Sequence, residues 1–464
     1  MIFFQRRRLL IWLLKAYIKK WKRIIIAFFA LGILGFFSLY FVFTHFALVS
    51  AGQKDTIGVL GIYNSTSLPS EVLDNVSSGL TKISNDGKTQ SSVASSWDID
   101  GSGKIYTFHL KDGLQFSDGT KLTSKEINYD FENVDVLKPD KNTIIFKLKE
   151  SYSPFLITVS RPIFKQSLRP GDPKNKFVGL GNYKVKSLDL NGDFVNSIEL
   201  QNIKAPRNSI VYQFYPTENS LKMALVIGEI SKTHDISDLS FQKSSFKSFP
   251  NYEVDKKINY NKLVTLFYNT QDKALSDKRL RQALTYAIPN DFNQGKRNHT
   301  PYPPTLWVSK EDSLSFEQNF DHAKLLFKVS VASESSSLKL NIKTLPQYKD
   351  TADKIKDSWS KMGISSNVEI TDTLPSNFQV FIGEFFVSKD PDQYTLWHSS
   401  QANNLTGYKN LRIDKLLEDG RQTIDTEKRG KIYADFQKYL LDDPPAAFLY
   451  FPFNYTLTKK RPAS

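Results

Sequence analysis

Apolar and polar side chains alternate along residues 106–111, which read YTFHLK. This period of two residues predicts a β-strand with one buried face. The dipeptide Asp112-Gly113 follows, and it favours a tight turn because glycine readily adopts positive φ. The pattern therefore predicts a hairpin whose second strand covers residues 114–116.

A second Asp-Gly pair, at residues 118–119, predicts a turn at the end of that strand. Thr123 and Glu126 have the spacing of a capping box, which marks the start of a helix. Ile127 and Phe131 are four residues apart and would share one face of this helix. Residues 106–131 thus predict a compact scaffold of strands, turns and one helix, without a catalytic group.

Strand and helix patterns are interleaved over the rest of the chain, and this arrangement predicts an α/β fold. Strand patterns cover residues 143–147, 263–268, 364–370, 378–386 and 446–457. Helix patterns follow Ser276 as far as Pro289, run from Ala352 to Met362 before Gly363, and include Ile432, Phe436 and Leu440.

An apolar run covers Ile24–Val49 and is interrupted only by Ser38, Thr44 and His45. At about 1.5 Å per residue, this run is longer than the roughly 30 Å hydrocarbon core of a bilayer. The basic residues before it predict that the N-terminus stays in the cytoplasm and that the remainder lies outside. We expect residues 24–49 to be a transmembrane anchor in contact with lipid.

Two questions remain open at this end of the chain. A cleaved signal peptide would also be apolar, although its core usually has only about 7–15 residues. Residues 1–23 suit a basic amphipathic helix on the anionic inner leaflet, or they extend the topology signal. We interpret residues 1–23 as a basic cytoplasmic amphipathic segment and residues 24–49 as an uncleaved anchor.

The net charge of the chain is +14, and the first 23 residues carry +8 of it without a single acidic residue. The remaining residues carry a mild excess of +6 on a mixed-sign surface, which argues against a nucleic-acid partner. The chain has no cysteine, so disulfides, cysteine-ligated zinc and thiol-linked lipid anchors are excluded. Its six histidines are scattered, and no metal site or cofactor is predicted.

The motifs of common enzymes are missing from this sequence. It contains no G-x-S-x-G, P-loop or H-E-x-x-H pattern. The stretch that begins at Asp98 imitates a calcium loop, but its last position is His109 instead of an acid, so a hairpin turn is expected. Asp390 and Asp392 flank a proline and have no partner histidine. These observations indicate a binding protein and not an enzyme.

Several segments together resemble the family 5 extracellular solute-binding proteins of ABC importers, the oligopeptide- and dipeptide-binding group. The similar segments occur in the order of that family and cover residues 57–458. They are GLTKISNDGKTQSSVASSW with YTFHLKDGLQFSDGTKLTS, VGLGNYKVKSLD, IVYQFYPTENSLKMALVIGEI, LFYNTQDKALSDKRLRQALTYAI, and DPDQYTLWHSSQANNLTGYKNLRIDKLLEDGR.

The resemblance implies a two-lobed α/β periplasmic-binding-protein fold of class II with an extra subdomain, here preceded by one transmembrane helix. Lobe I would comprise residues 52–82, 179–255 and 436–464. The extra subdomain would be residues 83–178, packed beside lobe I, and lobe II would be residues 256–435.

The resemblance also implies where a ligand lies, because the family holds an extended peptide between the lobes. The implied ligand-binding residues are Tyr63, Asn64, Ser65, Glu384, Phe386, Val387, Ser388 and Trp397. Two other interpretations stay open, since Trp397 and Phe386 also suit a core and Tyr63 and Asn64 also suit a surface turn. Arg281, inside a helix, is expected to form a structural ion pair.

Val387 is a departure from the family, whose peptide binders carry an acidic residue there to hold the ligand's amino terminus. A buried ammonium without a counter-charge costs several kcal/mol, so peptides with a free amine are disfavoured in the usual register. Glu384 is a possible substitute. The N-terminal anchor replaces the lipid-modified cysteine of other members.

We therefore expect a membrane-anchored extracellular receptor that binds a peptide or other small solute and delivers it to the permease subunits of an ABC importer. The alternative is a degenerate binding protein that acts as a surface sensor or scaffold without transport.

Overall fold

The computed structural model describes residues 2–50, 52–166, 173–308, 315–330 and 338–460. The parts of the predicted lobes and subdomain that fall at 167–172, 309–314, 331–337 and 461–464 lie outside the described residues. The chain divides into two compact units. One contains residues 1–54 with 204–209, and the other contains residues 55–203 with 210–464.

The helices are α1 (Ile2–Ser50), α2 (Ser70–Val76), α3 (Phe155–Thr158), α4 (Glu218–Ile227), α5 (Lys278–Tyr286), α6 (Phe320–Lys328), α7 (Lys349–Ser360), α8 (Tyr394–Trp397), α9 (Leu411–Gln422) and α10 (Thr426–Asp442). The first ten strands are β1 (Lys54–Leu60), β2 (Thr81–Ile83), β3 (Thr89–Ser91), β4 (Ala94–Ile99), β5 (Ile105–Leu110), β6 (Val134–Asp140), β7 (Thr143–Leu148), β8 (Tyr183–Asn191), β9 (Phe194–Asn202) and β10 (Ser209–Tyr215). The others are β11 (Lys232–Thr233), β12 (Ser240–Phe241), β13 (Ser244–Ser245), β14 (Tyr252–Ile258), β15 (Lys262–Tyr268), β16 (Gly295–Arg297), β17 (Lys339–Thr344), β18 (Ser365–Ile370), β19 (Val380–Phe386) and β20 (Ala446–Lys459).

α1 is long and apolar enough to cross a membrane over Lys19–Phe41, where the mean hydropathy is 2.5. A signal sequence would pass the same test of length and composition. The predicted helical character of residues 24–49 is therefore confirmed, whereas the anchor itself stays a prediction.

A mixed sheet of twelve strands among the described residues has the order β18-β17-β19-β15-β20-β11-β1-β10-β9-β8, with β14 and β16 also paired to β20. β20 lies near the middle of this order and pairs with strands on both sides of it. Its residues 446–452 pair with β15 and β16, and its residues 453–459 pair with β14. We call β1, β8–β11 and β14 the first half of the sheet and β15–β19 the second half.

The second half is a three-layer α/β/α structure, because alternate side chains of β15 enter different cores. Leu263 packs in one core with α9 and α10, and Leu266 packs in another with α5 and α7. Within it, β17, β18 and β19 run parallel.

In the first half, β1 and β11 run parallel, with Ile57 opposite Lys232. One core lies between β1, β9 and α2, and another lies around α4. α4 begins with a capping box at Thr217 and ends at Gly228, whose φ of 84° suits glycine.

The residues of the predicted extra subdomain form a separate four-stranded sheet in the order β4-β5-β7-β6. The prediction for residues 106–110 is confirmed, since Tyr106, Phe108 and Leu110 are buried and alternate with partly exposed residues. The predicted hairpin at Asp112-Gly113 is wrong, because β5 pairs with β4 and β7, and Gln115 only bridges to Lys121.

The predicted helix after Thr123 is also wrong. The capping box forms, but the helical turn covers only Ser124–Glu126. Ser124 is held by β6, where its hydroxyl donates to the carbonyl oxygen of Asp140 at 2.5 Å. Asn, Tyr, Asp and Phe follow, which are weak helix formers, and the Tyr129 hydroxyl reaches the Arg161 carbonyl oxygen at 2.7 Å. The tertiary contacts therefore keep the chain extended here.

The other predicted elements are confirmed as β7, β15, β18, β19, β20, α5, α7 and α10. The α5 cap differs by one residue, since Asp277 and not Ser276 accepts the hydrogen bond from the Arg279 amide. Arg281 pairs with Asp443, as expected of a structural ion pair.

The packing moves one predicted boundary. Phe436 and Leu440 of α10 belong to the same core as Leu263 of β15, in the second half of the sheet. The predicted lobe I segment 436–464 thus begins too early, and β20 crosses between the two halves near Pro452.

Candidate functional site

In open α/β sheets, ligands bind beyond the carboxyl ends of the parallel strands. In the first half this edge follows β1, and residues 61–65 form it. The Gly61 amide donates to the Tyr215 carbonyl oxygen at 2.7 Å, which fixes the start of the segment. The half-buried Tyr63 donates its hydroxyl to the Leu60 carbonyl oxygen at 2.9 Å.

The two residues after Tyr63 form a turn at this edge. The exposed Asn64 accepts hydrogen bonds from the Thr66 amide at 2.9 Å and the Thr66 hydroxyl at 2.7 Å. Its backbone also bridges to Phe194. Ser65 is half-buried. The structure thus brings Tyr63, Asn64 and Ser65 together, with the Asn64 side chain engaged within the turn.

Charged groups surround Tyr63 on the neighbouring α2 and on the segment after β11. His234 Nε2 lies 3.4 Å from the Glu71 carboxylate. Burial raises the pKa of Glu71, the nearby Asp235 raises it further, and Lys232 opposes the shift. Burial likewise raises the pKa of Tyr63, with the charges of Asp235 and Glu71 acting in the same direction. Two carboxylates therefore lie near Tyr63, which was not predicted.

The matching edge of the second half lies at the end of β19, where Glu384 is engaged by its own neighbours. Lys262 Nζ lies 3.0 Å from Glu384 Oε1, and the Tyr348 hydroxyl donates to Glu384 Oε2. Any ligand amine at this carboxylate has to compete with Lys262 for it.

The remaining predicted site residues of this edge differ in their exposure. The Phe386 side chain is 74% exposed, whereas Val387 is only 7% exposed and packs in the core beneath α9. The Ser388 hydroxyl accepts a hydrogen bond from the Asp390 amide at 3.0 Å. Trp397 is 1% exposed, and its indole N–H donates to Gln393 Oε1 at 2.7 Å. Their roles toward a ligand stay predictions, and Phe386 is the most accessible of them.

Lys389, which follows β19 by three residues, lies within electrostatic range of Asp74 in α2. Burial raises the pKa of Asp74, and the Lys389 ammonium is close enough to oppose this shift. On the other side of Lys389, a Cβ at Gly87 would lie 2.4 Å from the Lys389 carbonyl oxygen, so only glycine fits there. Neither contact was predicted, because no local sequence pattern relates residues so distant along the chain.

The acidic pair of the DPDQY stretch is structural. Arg429 donates to both carboxylate oxygens of Asp390, at 2.5 and 2.7 Å, and both residues are buried. Arg421 donates to Asp392 at 2.8 Å. These pairs fix the loop that follows β19 onto α9 and α10, and the two carboxylates are not free for acid/base chemistry.

The stretch at Asp98 is a hairpin turn, as predicted, in which the Asp100 carboxylate accepts hydrogen bonds from backbone amides. These hydrogen bonds, with that of Ser102, lower the pKa of Asp100 to about 2. Among the residues that the structure describes, no group of three histidines or acids has metal-binding geometry.

The sequence profile of the bacterial extracellular solute-binding proteins of family 5, middle region, matches residues 88–134 and 128–406. The chain is similar to the oligopeptide-binding protein AppA of Bacillus subtilis, with 23% identity over 476 residues. That match covers 85% of this chain and 84% of the relative.

Two solved structures have the same fold. The ABC transporter substrate-binding protein CtaP from Listeria monocytogenes gives a TM-score of 0.73 at 20% identity, over 88% of this chain and 94% of that one. NikZ from Campylobacter jejuni, in complex with Ni(L-His), gives 0.69 at 20% identity with the same coverage.

These comparisons confirm the two-lobed α/β fold, and the relatives are solute-binding proteins and not enzymes. The chain belongs to the bacterial extracellular solute-binding proteins of family 5.

Proposed function

We propose that this protein is a membrane-anchored receptor that captures an oligopeptide-like ligand between its two lobes and delivers it to an ABC importer. The proposal is carried by the family match, taken together with the two strand edges that follow β1 and β19. Tyr63 lies at one of these edges and the exposed Phe386 at the other. A ligand between them can pair with strand backbone and place its side chains in wet pockets.

The choice of a peptide rests on the relatives. AppA is by its name an oligopeptide-binding protein, whereas NikZ is in complex with Ni(L-His). Proteins with this fold therefore bind more than one class of solute.

The amino terminus of the ligand is the part that this site recognises least. Val387 is apolar and buried, and Glu384 is already engaged by Lys262 and Tyr348. We therefore expect the ratio of the Kd of a free-amine peptide to the Kd of its N-acetylated form to be one or higher. Calorimetric titration of the full-length chain in detergent micelles with matched tri- to pentapeptides measures this ratio.

Glu384→Gln provides the control for this titration. If Glu384 held the ligand's amine, the native chain would prefer the free-amine peptide by tenfold or more, and the substitution would remove that preference. Failure to bind any member of a broad peptide library would contradict peptide capture itself.

The anchor is the second part of the proposal, and it rests on the apolar helix α1. We expect the full-length chain to stay with the membrane after washing at alkaline pH and to keep its first residues, because helix Lys19–Phe41 crosses the bilayer. Membrane fractionation with N-terminal mass spectrometry checks this, and a chain without residues 24–49 serves as the control. A mature N-terminus near residue 52 would show that the helix is a cleaved signal.

A further inference from the structure

The extra subdomain contacts the second half of the sheet through two short loops. Ser151 and Ser153 lie between β7 and α3, and they meet residues 420–424 at the end of α9. The Ser151 hydroxyl donates to the Gln422 carbonyl oxygen at 2.8 Å. The Ser153 amide donates to the Arg421 carbonyl oxygen at 2.7 Å, and the Ser153 hydroxyl donates to the Gly420 carbonyl oxygen at 3.2 Å. We call residues 151–153 and residues 420–424 together the seam.

Apolar and aromatic contacts reinforce the seam. Ile424 packs against the hydrophobic core of the subdomain, although it belongs to the connection between α9 and α10. The Arg421 guanidinium lies 5.6 Å from the Tyr152 ring centroid and 3.9 Å from that of Tyr394, while it also pairs with Asp392. The seam therefore joins the subdomain to the loop that follows β19.

The seam is not a continuous core. A cavity of about 400 Å³ lies beside it, and both sides contribute to its lining: Trp97, Ile157 and Ser153 from the subdomain, and Trp307, Ile424 and Arg429 from the second half. A space of this size between two parts of a chain lowers the cost of separating them, since few packed contacts are lost there.

We propose that the seam is a latch that forms when the lobes close and that sets how long a ligand is retained. This inference rests on the proposed function, in which the subdomain moves with lobe I and α9 and α10 move with lobe II. Opening then has to break the seam hydrogen bonds and expose Ile424. Ser153 and Ile424 are positioning residues, which act on the ligand through the closed state and without touching it.

Spin labels test the latch directly, because the chain has no cysteine of its own. Lys111→Cys on the subdomain and Lys428→Cys on α10 place two labels at exposed positions on either side of the seam. Electron–electron distance measurements on the ligand-free full-length chain in micelles should show mainly one short distance. With Ser153→Ala and Ile424→Ala added, we expect a longer distance to appear and the open-to-closed ratio to rise about tenfold.

The matched control is Ser95→Ala with Ile432→Ala. The Ser95 hydroxyl donates to a backbone carbonyl oxygen within the subdomain, and Ile432 is a half-buried residue of α10. This pair should leave the distances unchanged, and circular dichroism confirms that both double variants fold. Equal distance distributions for the seam variant and the control overturn the latch, as does a native chain that is already mostly open.

The proposed function is tested separately, by the peptide titration. If the chain binds no peptide but the seam variant still opens, the latch is supported and peptide capture is contradicted. Where a peptide binds, its dissociation rate should rise about tenfold in the seam variant, and an unchanged rate would contradict a role in retention.

Discussion

Replacing Asp390 by alanine will lower the free energy of unfolding by about 3–5 kcal/mol, because it leaves the buried Arg429 guanidinium without its counter-charge. Asp390 and Arg429 are both nearly inaccessible to water and share two hydrogen bonds. Urea denaturation of the full-length chain in micelles, followed by tryptophan fluorescence, measures this loss.

Two further variants test whether the loss of stability comes from the unpaired buried charge. Glu427→Ala removes an exposed pair with Lys431 on the same helix α10, and it should change the stability by less than about 0.5 kcal/mol. Asp390→Leu combined with Arg429→Met removes both charges and should recover much of the loss. An Asp390→Ala variant as stable as Glu427→Ala would show that the pair does not hold the loop after β19.

Replacing Trp397 by alanine will lower the free energy of unfolding by about 3–5 kcal/mol, as expected for a large buried side chain. The indole is packed among aromatic rings, with centroid distances of 6.3 Å to Phe267 and 6.2 Å to Phe448. The indole N–H also donates a hydrogen bond to Gln393 Oε1. The same urea denaturation measures the effect.

Phe386→Ala is the matched control for Trp397→Ala, since it truncates an exposed aromatic residue close by in the chain. It should leave the stability within about 0.5 kcal/mol. If Trp397→Ala were equally harmless but abolished ligand binding, the indole would be a wall of the ligand site and not part of the core.

Most of the strands and helices that local patterns predicted are present, because burial follows a period of two residues in strands and 3.6 residues in helices. These local patterns failed around residues 112–131. The Asp-Gly turn and the capping box are present there, but the chain pairs with other segments than the patterns predicted. β5 took its neighbours from residues 94–99 and 143–148, and the capped turn at Thr123 was held by β6. Pairing between distant segments overrode local turn and helix preferences there.

The candidate site was predicted less completely than the fold. The resemblance pointed to the ends of β1 and β19, but it could not show that Glu384 is paired or that Val387 and Trp397 are buried. The acidic surroundings of Tyr63 arise from α2 and the end of β11, which are more than 150 residues apart in the chain. Such contacts exist only once the sheet has formed.

The position of β20 has a consequence for biogenesis. Its fourteen residues pair with strands of both halves, although β20 follows all the other described strands in the chain. Neither half can complete its native hydrogen bonding before β20 has been synthesised, and pairing between segments so distant in the chain is slow to form.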